Sequence, residues 1–221
     1  MDPVGYNELM PRKNVVKEYR EKSFYHVYNR GVAKQKIFGD VDDYKKFLGL
    51  LKFYLSLQGP TLQVKVAPSK VLKNHSENVS LHSYCLMPNH FHILLYQEKI
   101  DSMNFFMRSL ATKYVMYFNQ RYKRTGPLFE SNYKAVRVET DDQLIYLTKY
   151  IHRNPIDILP AGMDPVGYKY SSYGNYLRLF KQEWVKINEV LKFFKDKSYK
   201  EFVEEENDGS LRIIRDLGID E

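Results

Sequence analysis

The chain alternates between two hydrophobic periods. Phe24 to Arg30 (FYHVYNR) is rich in aromatic and β-favouring residues and is followed by Gly31, which predicts a strand. Asp40 to Leu57 carries Tyr44, Phe47, Leu48, Leu51, Tyr54 and Leu55 at helical spacing behind Asp40, a natural cap. Gln58 to Val79 has two prolines and a polar cluster, and reads as a loop with one short strand at Leu62 to Val66. Leu81 to Leu86 and His90 to Tyr96 read as two strands joined tightly through Met87-Pro88-Asn89. Asp101 to Tyr122 is the clearest helix, with Met103, Phe106, Met107, Leu110, Tyr114 and Phe118 as its apolar stripe and Gly126-Pro127 beyond it. Tyr133 to Val138 is a strand. Asp141 to Arg153 is a second strong helix, expected to end at Asn154-Pro155 because the residue before proline resists helical geometry. Trp184 to Phe194 and Ser198 to Glu206 suggest small helices, and the tail from Asn207 is acidic and weakly patterned.

This order predicts an α+β domain, a ferredoxin-like antiparallel sheet with helices on one face. The expected organisation is an extension over 1–23, a catalytic domain over 24–176 and a helical appendage with an acidic tail over 177–221. The hexapeptide MDPVGY occurs at Met1–Tyr6 and again at Met163–Tyr168, but its flanks do not repeat, so this is not a repeat architecture.

Charge changes the picture. The chain carries +7, yet residues 201–221 hold eight acids against two bases, so the first 200 residues carry +13. A basic body in a chain with 19 tyrosines suits a polyanion whose bases stack on aromatic rings, although many soluble proteins are as basic. Cys85 stands alone, which excludes an intramolecular disulfide. There is no apolar block of signal-peptide or membrane-spanning type, so a cytoplasmic protein is expected.

The stretch MPNHFHILL holds the first candidate chemistry. On a strand, residues i and i+2 share a face, so His90, His92 and Leu94 point one way and Phe91, Ile93 and Leu95 the other. Same-face imidazoles can ligate one metal ion, but a lone His-x-His is as readily two histidines satisfying local hydrogen bonds. On the helix 141–153, Tyr146, Tyr150 and Asn154 are spaced by four and share a face. If that face meets the histidines, two imidazoles and an amide oxygen could hold a divalent ion beside a phenol able to attack phosphorus. Tyr146 and Tyr150 could equally be core aromatics with polar tips.

Five stretches in order are FYHVYNRG, MPNHFHILL, MRSLATKYVMYFNQRYKRTGPLFESNYKA, YIHRNPI and YKYSSYGNY, together spanning about Phe24 to Tyr176. They resemble the HUH single-tyrosine transposases, in particular the REP-associated tyrosine transposase group. The resemblance implies that His90 and His92, with Asn154, bind Mg²⁺ or Mn²⁺. It implies Tyr150 as the nucleophile of single-strand cleavage and strand transfer through a 5′-phosphotyrosine, at hairpin-forming repeats. Tyr146 is a rival nucleophile outside the matching context. The partner would be single-stranded or hairpin DNA, met by Arg30, Arg108, Lys113, Arg121, Lys123, Arg124, Lys134 and Arg137. Monomer and homodimer both stay open. Two other classes compete: a nucleic-acid-binding module on the same fold without catalysis, and a metal-dependent phosphodiesterase that uses water.

Overall fold

The computed structural model describes residues 19–57, 73–160, 163–194 and 198–205. The strand expected at Leu62 to Val66, most of the N-terminal extension and the tail from Asn207 lie outside them.

Four strands form one sheet: β1 (Ser23–Arg30), β2 (Val79–Met87), β3 (His90–Gln97) and β4 (Lys134–Val138). The order is β2-β3-β1-β4, and every pairing is antiparallel. With α1 (Val41–Leu55) between β1 and β2 and α2 (Ser102–Arg121) between β3 and β4, this is the ferredoxin-like arrangement of an α+β fold. Asp40 caps α1 as expected, its carboxylate accepting from Asp42 N at 3.0 Å and Asp43 N at 3.3 Å. The helix α3 (Asp141–Arg153) starts on a reciprocal cap: Thr140 Oγ1 accepts from Gln143 N, and Gln143 Oε1 accepts from Glu139 N.

The sheet separates two cores. Tyr25, Val27, Phe91, Ile93 and Leu95 meet Phe47, Leu51 and Tyr54 of α1 and Phe106, Leu110 and Tyr114 of α2. Each fully buried aromatic or aliphatic side chain there contributes about 1.5–3 kcal/mol. The other face buries Cys85, Met87, Leu94 and Val138 against Leu144, Leu147 and Ile151 of α3. One-sided cover therefore holds for the two long helices, whereas the helix that carries Tyr150 lies on the opposite face. The reason is in the alternation: Leu94 and Val138 leave the histidine face half apolar, and α3 presents a matching apolar stripe.

The helix α3 ends at Arg153 as expected, whereas the segment after Trp184 needs correction. Asn154 keeps helical geometry (φ −50°, ψ −34°) despite Pro155, and the chain tightens directly into a 3₁₀ turn over Asn154–Ile158. Pro155 opens that turn, where no backbone N–H is required of it. Asn154 therefore stays one turn beyond Tyr150 on the same side. Between Trp184 and Phe194 only a single turn, α5 (Asn188–Leu191), is helical. Here Trp184 stacks on Tyr84 and Val185 bridges Leu81, with Lys186 N donating to Leu81 O. Together with the Ser171–Cys85 bridge, this segment covers the outer edge of β2, which would otherwise expose unpaired backbone groups. The short helices α4 (Tyr173–Tyr176) and α6 (Tyr199–Glu204) complete the second core. The second MDPVGY copy forms a 3₁₀ turn capped by Asp164, which delivers the Tyr168 hydroxyl to Leu86 O at 2.6 Å. Among the described residues no helix is long and apolar enough to cross a membrane.

His26, His82 and His152 are among the histidines buried by this packing. Burial lowers their pKa values to about 3, about 4 and about 3. These lie below the unfolded value near 6.5, so below that pH the unfolded chain binds more protons than the folded one. Stability is then full above pH ~6.5 and falls as pH drops, by roughly 1.4 kcal/mol per pH unit for each group. We expect urea midpoints to decline steeply from pH 6.5 to 4.5, and His152→Gln to remove one group's share of that slope, about 1.4 kcal/mol per pH unit. A midpoint constant over this range would contradict the burial of neutral imidazoles.

Candidate active site

The site forms where β3 begins and α3 ends. Strand register sets His90 opposite Arg30 and His92 opposite Tyr28, so Phe24, His26, Tyr28 and Arg30 of β1 line the same face as the two histidines. The C-terminal half of α3 crosses above them. Tyr150, half-buried, stands edge-on to His92 with ring centroids 5.2 Å apart and planes at 89°. One turn later Asn154 Oδ1 lies 3.0 Å from His90 Nε2. The histidine strand and the Tyr150–Asn154 face therefore do meet.

Each imidazole is held from behind. Asn89 Oδ1 lies 2.7 Å from His90 Nδ1, and His26 Nε2 lies 2.9 Å from His92 Nδ1. His92 is held neutral, its pKa well below the ordinary value, first by burial and then by His26, His90 and Arg30. A neutral imidazole with an outward Nε2 is what a metal ligand requires.

The residues fit a divalent ion. His90 faces an amide oxygen at each ring nitrogen, Asn89 Oδ1 at Nδ1 and Asn154 Oδ1 at Nε2; with the proton on Nδ1, Nε2 would be left to ligate an ion. His90 Nε2 and Asn154 Oδ1 lie 3.0 Å apart, close enough for a ring N–H to donate to the amide oxygen or for both atoms to face one cation. Among the described residues no group of three or more His, Cys, Asp or Glu is placed to hold a metal; His90, His92 and Asn154 together offer two imidazoles and an amide.

The region that holds this site, residues 63–154, matches the family model described as "Transposase IS200 like". His90, His92, Tyr150 and Asn154 all fall within the match. A solved structure of a REP-associated tyrosine transposase bound to a REP hairpin shares the fold, with a TM-score of 0.51 and 10% sequence identity. The alignment covers 77% of this chain and 92% of that one. A search of curated proteins returns no match. The family model thus falls on the residues of the site, and the chain shares the fold of that solved structure.

The basic residues named from sequence are scattered by the fold. Arg30 and Lys134 share the histidine face, and Lys134 Nζ sits 5.6 Å from the centre of the Tyr28 ring. Arg137 points to the other face of β4 and pairs with Glu139. Arg121 bonds the carboxylates of Asp40 and the fully buried Asp43, at 2.6 and 2.8 Å. Arg124 donates to Gln35 Oε1 and lies over Phe118. Arg108 and Lys113 line a pocket on the outer side of α2 with Lys73, His75 and Phe105, and Lys123 is exposed beyond that helix. Tyr146 packs on Phe202 of α6, at 5.4 Å between ring centres.

Sequence reasoning missed His26 and Asn89. The alternation Phe24, His26, Tyr28, Arg30 showed which residues share a face, but only strand pairing reveals that this face is the one bearing His90 and His92. His152 lies off the Tyr150–Asn154 face, as helical spacing requires. Its Nδ1 bonds the Tyr199 hydroxyl at 2.7 Å and its Nε2 bonds Ser172 Oγ at 2.8 Å and Ser83 Oγ at 3.0 Å. This buried network ties the end of α3 to β2 and α6.

Proposed function

We propose that the protein cleaves single-stranded DNA and transfers the strand through a tyrosine-linked intermediate, acting at hairpin-forming repeats. The observation that carries this reading is the convergence of Tyr150, His92, His90 and Asn154 on one face of the sheet, with Tyr150 perpendicular to His92 and Asn154 against His90. The transposase model over residues 63–154 and the hairpin bound in the structural neighbour support it.

Tyr150 Oη attacks a phosphodiester phosphorus, the O–P bond to tyrosine forms, and the bond from phosphorus to the 3′-oxygen breaks. The phenolic proton leaves to solvent, and the departing 3′-oxygen takes up a proton. The product is a 5′-phosphotyrosine, which retains the phosphodiester bond energy, so a 3′-hydroxyl of another strand can reverse the attack. His90 Nε2, His92 Nε2 and Asn154 Oδ1 would hold Mg²⁺ or Mn²⁺, which when bound polarises a phosphoryl oxygen and offsets charge on the phosphate. Imidazole donors favour Mn²⁺ on softness grounds. The edge-on contact with His92 sets the direction of the phenol. Arg30 and Lys134 supply cations for the flanking backbone, and Tyr28 a ring on which a base can stack. This reading places the protein in the cytoplasm, as a monomer or homodimer.

The test is a denaturing gel after incubation with labelled hairpin-bearing single strands, with Mn²⁺ or with chelator. A covalent protein–DNA band that requires the metal is expected. Cleavage without such a band would point to a water-using phosphodiesterase, and tight binding with neither product to a binding module.

A further inference from the structure

The contact between His26 and His92 has more to say about the metal site. Both rings are buried, and His26 Nε2 lies 2.9 Å from His92 Nδ1. His26 is wedged between Tyr28, whose ring stacks on it at 4.7 Å, and the edge of Tyr150 at 6.3 Å. Its remaining nitrogen, Nδ1, is buried with no hydrogen-bond partner.

Two neutral imidazoles sharing one such contact have two arrangements, each with two ring protons. In one, His26 Nε2–H donates to His92 Nδ1. The second proton of the pair is then on His92 Nε2, and that nitrogen cannot ligate. In the other, His92 Nδ1–H donates to His26 Nε2. His92 Nε2 then has its lone pair outward, and His26 carries its proton on the partnerless Nδ1. The second arrangement alone is compatible with a metal at His92.

Resting on the proposed metal site, we infer that His26 is its positioning residue: by accepting the Nδ1–H of His92 it assigns His92 Nε2 to the ion. In this arrangement the pair holds the ion with the same number of protons as two neutral imidazoles. An outer partner of this kind typically accounts for 10–100-fold in metal affinity.

The experiment uses the full chain labelled with ¹⁵N-histidine. In Mg²⁺-loaded protein, protonated Nδ1 is expected on both His92 and His26. Mn²⁺ titration followed by electron paramagnetic resonance should show His26→Phe weaker by 10–100-fold and His26→Gln within about threefold of the unmodified chain. The glutamine oxygen can accept the same Nδ1–H. Three results would overturn the inference: a proton on His92 Nε2 in the loaded protein, unchanged Mn²⁺ affinity in His26→Phe, or equal losses in both variants. The NMR result needs no substitution, so it stands even if His26→Phe does not fold. Failure of the unmodified chain to bind Mn²⁺ removes the metal site and this inference together. Metal binding without a DNA adduct removes only the transposition chemistry.

Discussion

Tyr150→Phe should abolish the covalent protein–DNA band, lowering its rate of formation by at least ~10³-fold, as expected when a nucleophile is removed. The substitution deletes one oxygen and keeps the ring that stands edge-on to His92, so the unfolding midpoint and hairpin affinity should change little. The control is Tyr146→Phe. Tyr146 is one turn earlier and packs on Phe202 of α6, outside the His90–His92–Asn154 group, so adduct formation should be intact. An adduct that survives Tyr150→Phe and disappears in Tyr146→Phe would reverse the assignment. Mapping the modified peptide by mass spectrometry checks the same point directly.

The second large effect is expected at His90. His90→Ala should reduce metal-dependent cleavage by at least ~10²-fold, because it removes a ligand rather than an outer partner. Hairpin affinity measured in chelator should be within about twofold of the unmodified chain, since no DNA contact is assigned to this imidazole. His90 suits the test better than His92. It is half-buried at the start of β3, whereas His92 is buried and its loss would strand His26 in the interior. Measuring cleavage against Mn²⁺ concentration separates the two roles a histidine could have here. A ligand's loss moves the metal midpoint upward, while loss of a purely structural residue lowers the rate at every concentration and lowers the unfolding midpoint with it.

Much of this architecture was legible in the chain. The strands β1 and β3 and the helices α1, α2 and α3 fall within two residues of their expected bounds, because β-favouring composition marks the strands and each helix has an apolar face with a matching period. Spacing alone placed Tyr150 and Asn154 on one helical face, and His90 and His92 on one strand face. Periodicity failed between Trp184 and Phe194, where an apolar segment is fastened by an open strand edge and not by its own repeat. The helix α3 ends at Arg153 as expected, although Asn154 keeps helical angles and leads into a 3₁₀ turn, against the local bias before proline. Composition could not separate Arg121, tied to a buried carboxylate on the far side of the molecule, from Arg30, which sits opposite His90.

The sequence by itself determined which side chains share a face within each element, because the 2-residue and 3.6-residue periods are properties of the backbone. Only the tertiary structure decided which faces meet. It set α3 against the histidine face of the sheet and Asn154 against His90. Through the register of β1 on β3 it also placed His26 behind His92. Such contacts join residues far apart in sequence, and their geometry depends on packing summed over both cores. No local pattern at Phe24–Arg30 or His90–Tyr96 encodes it.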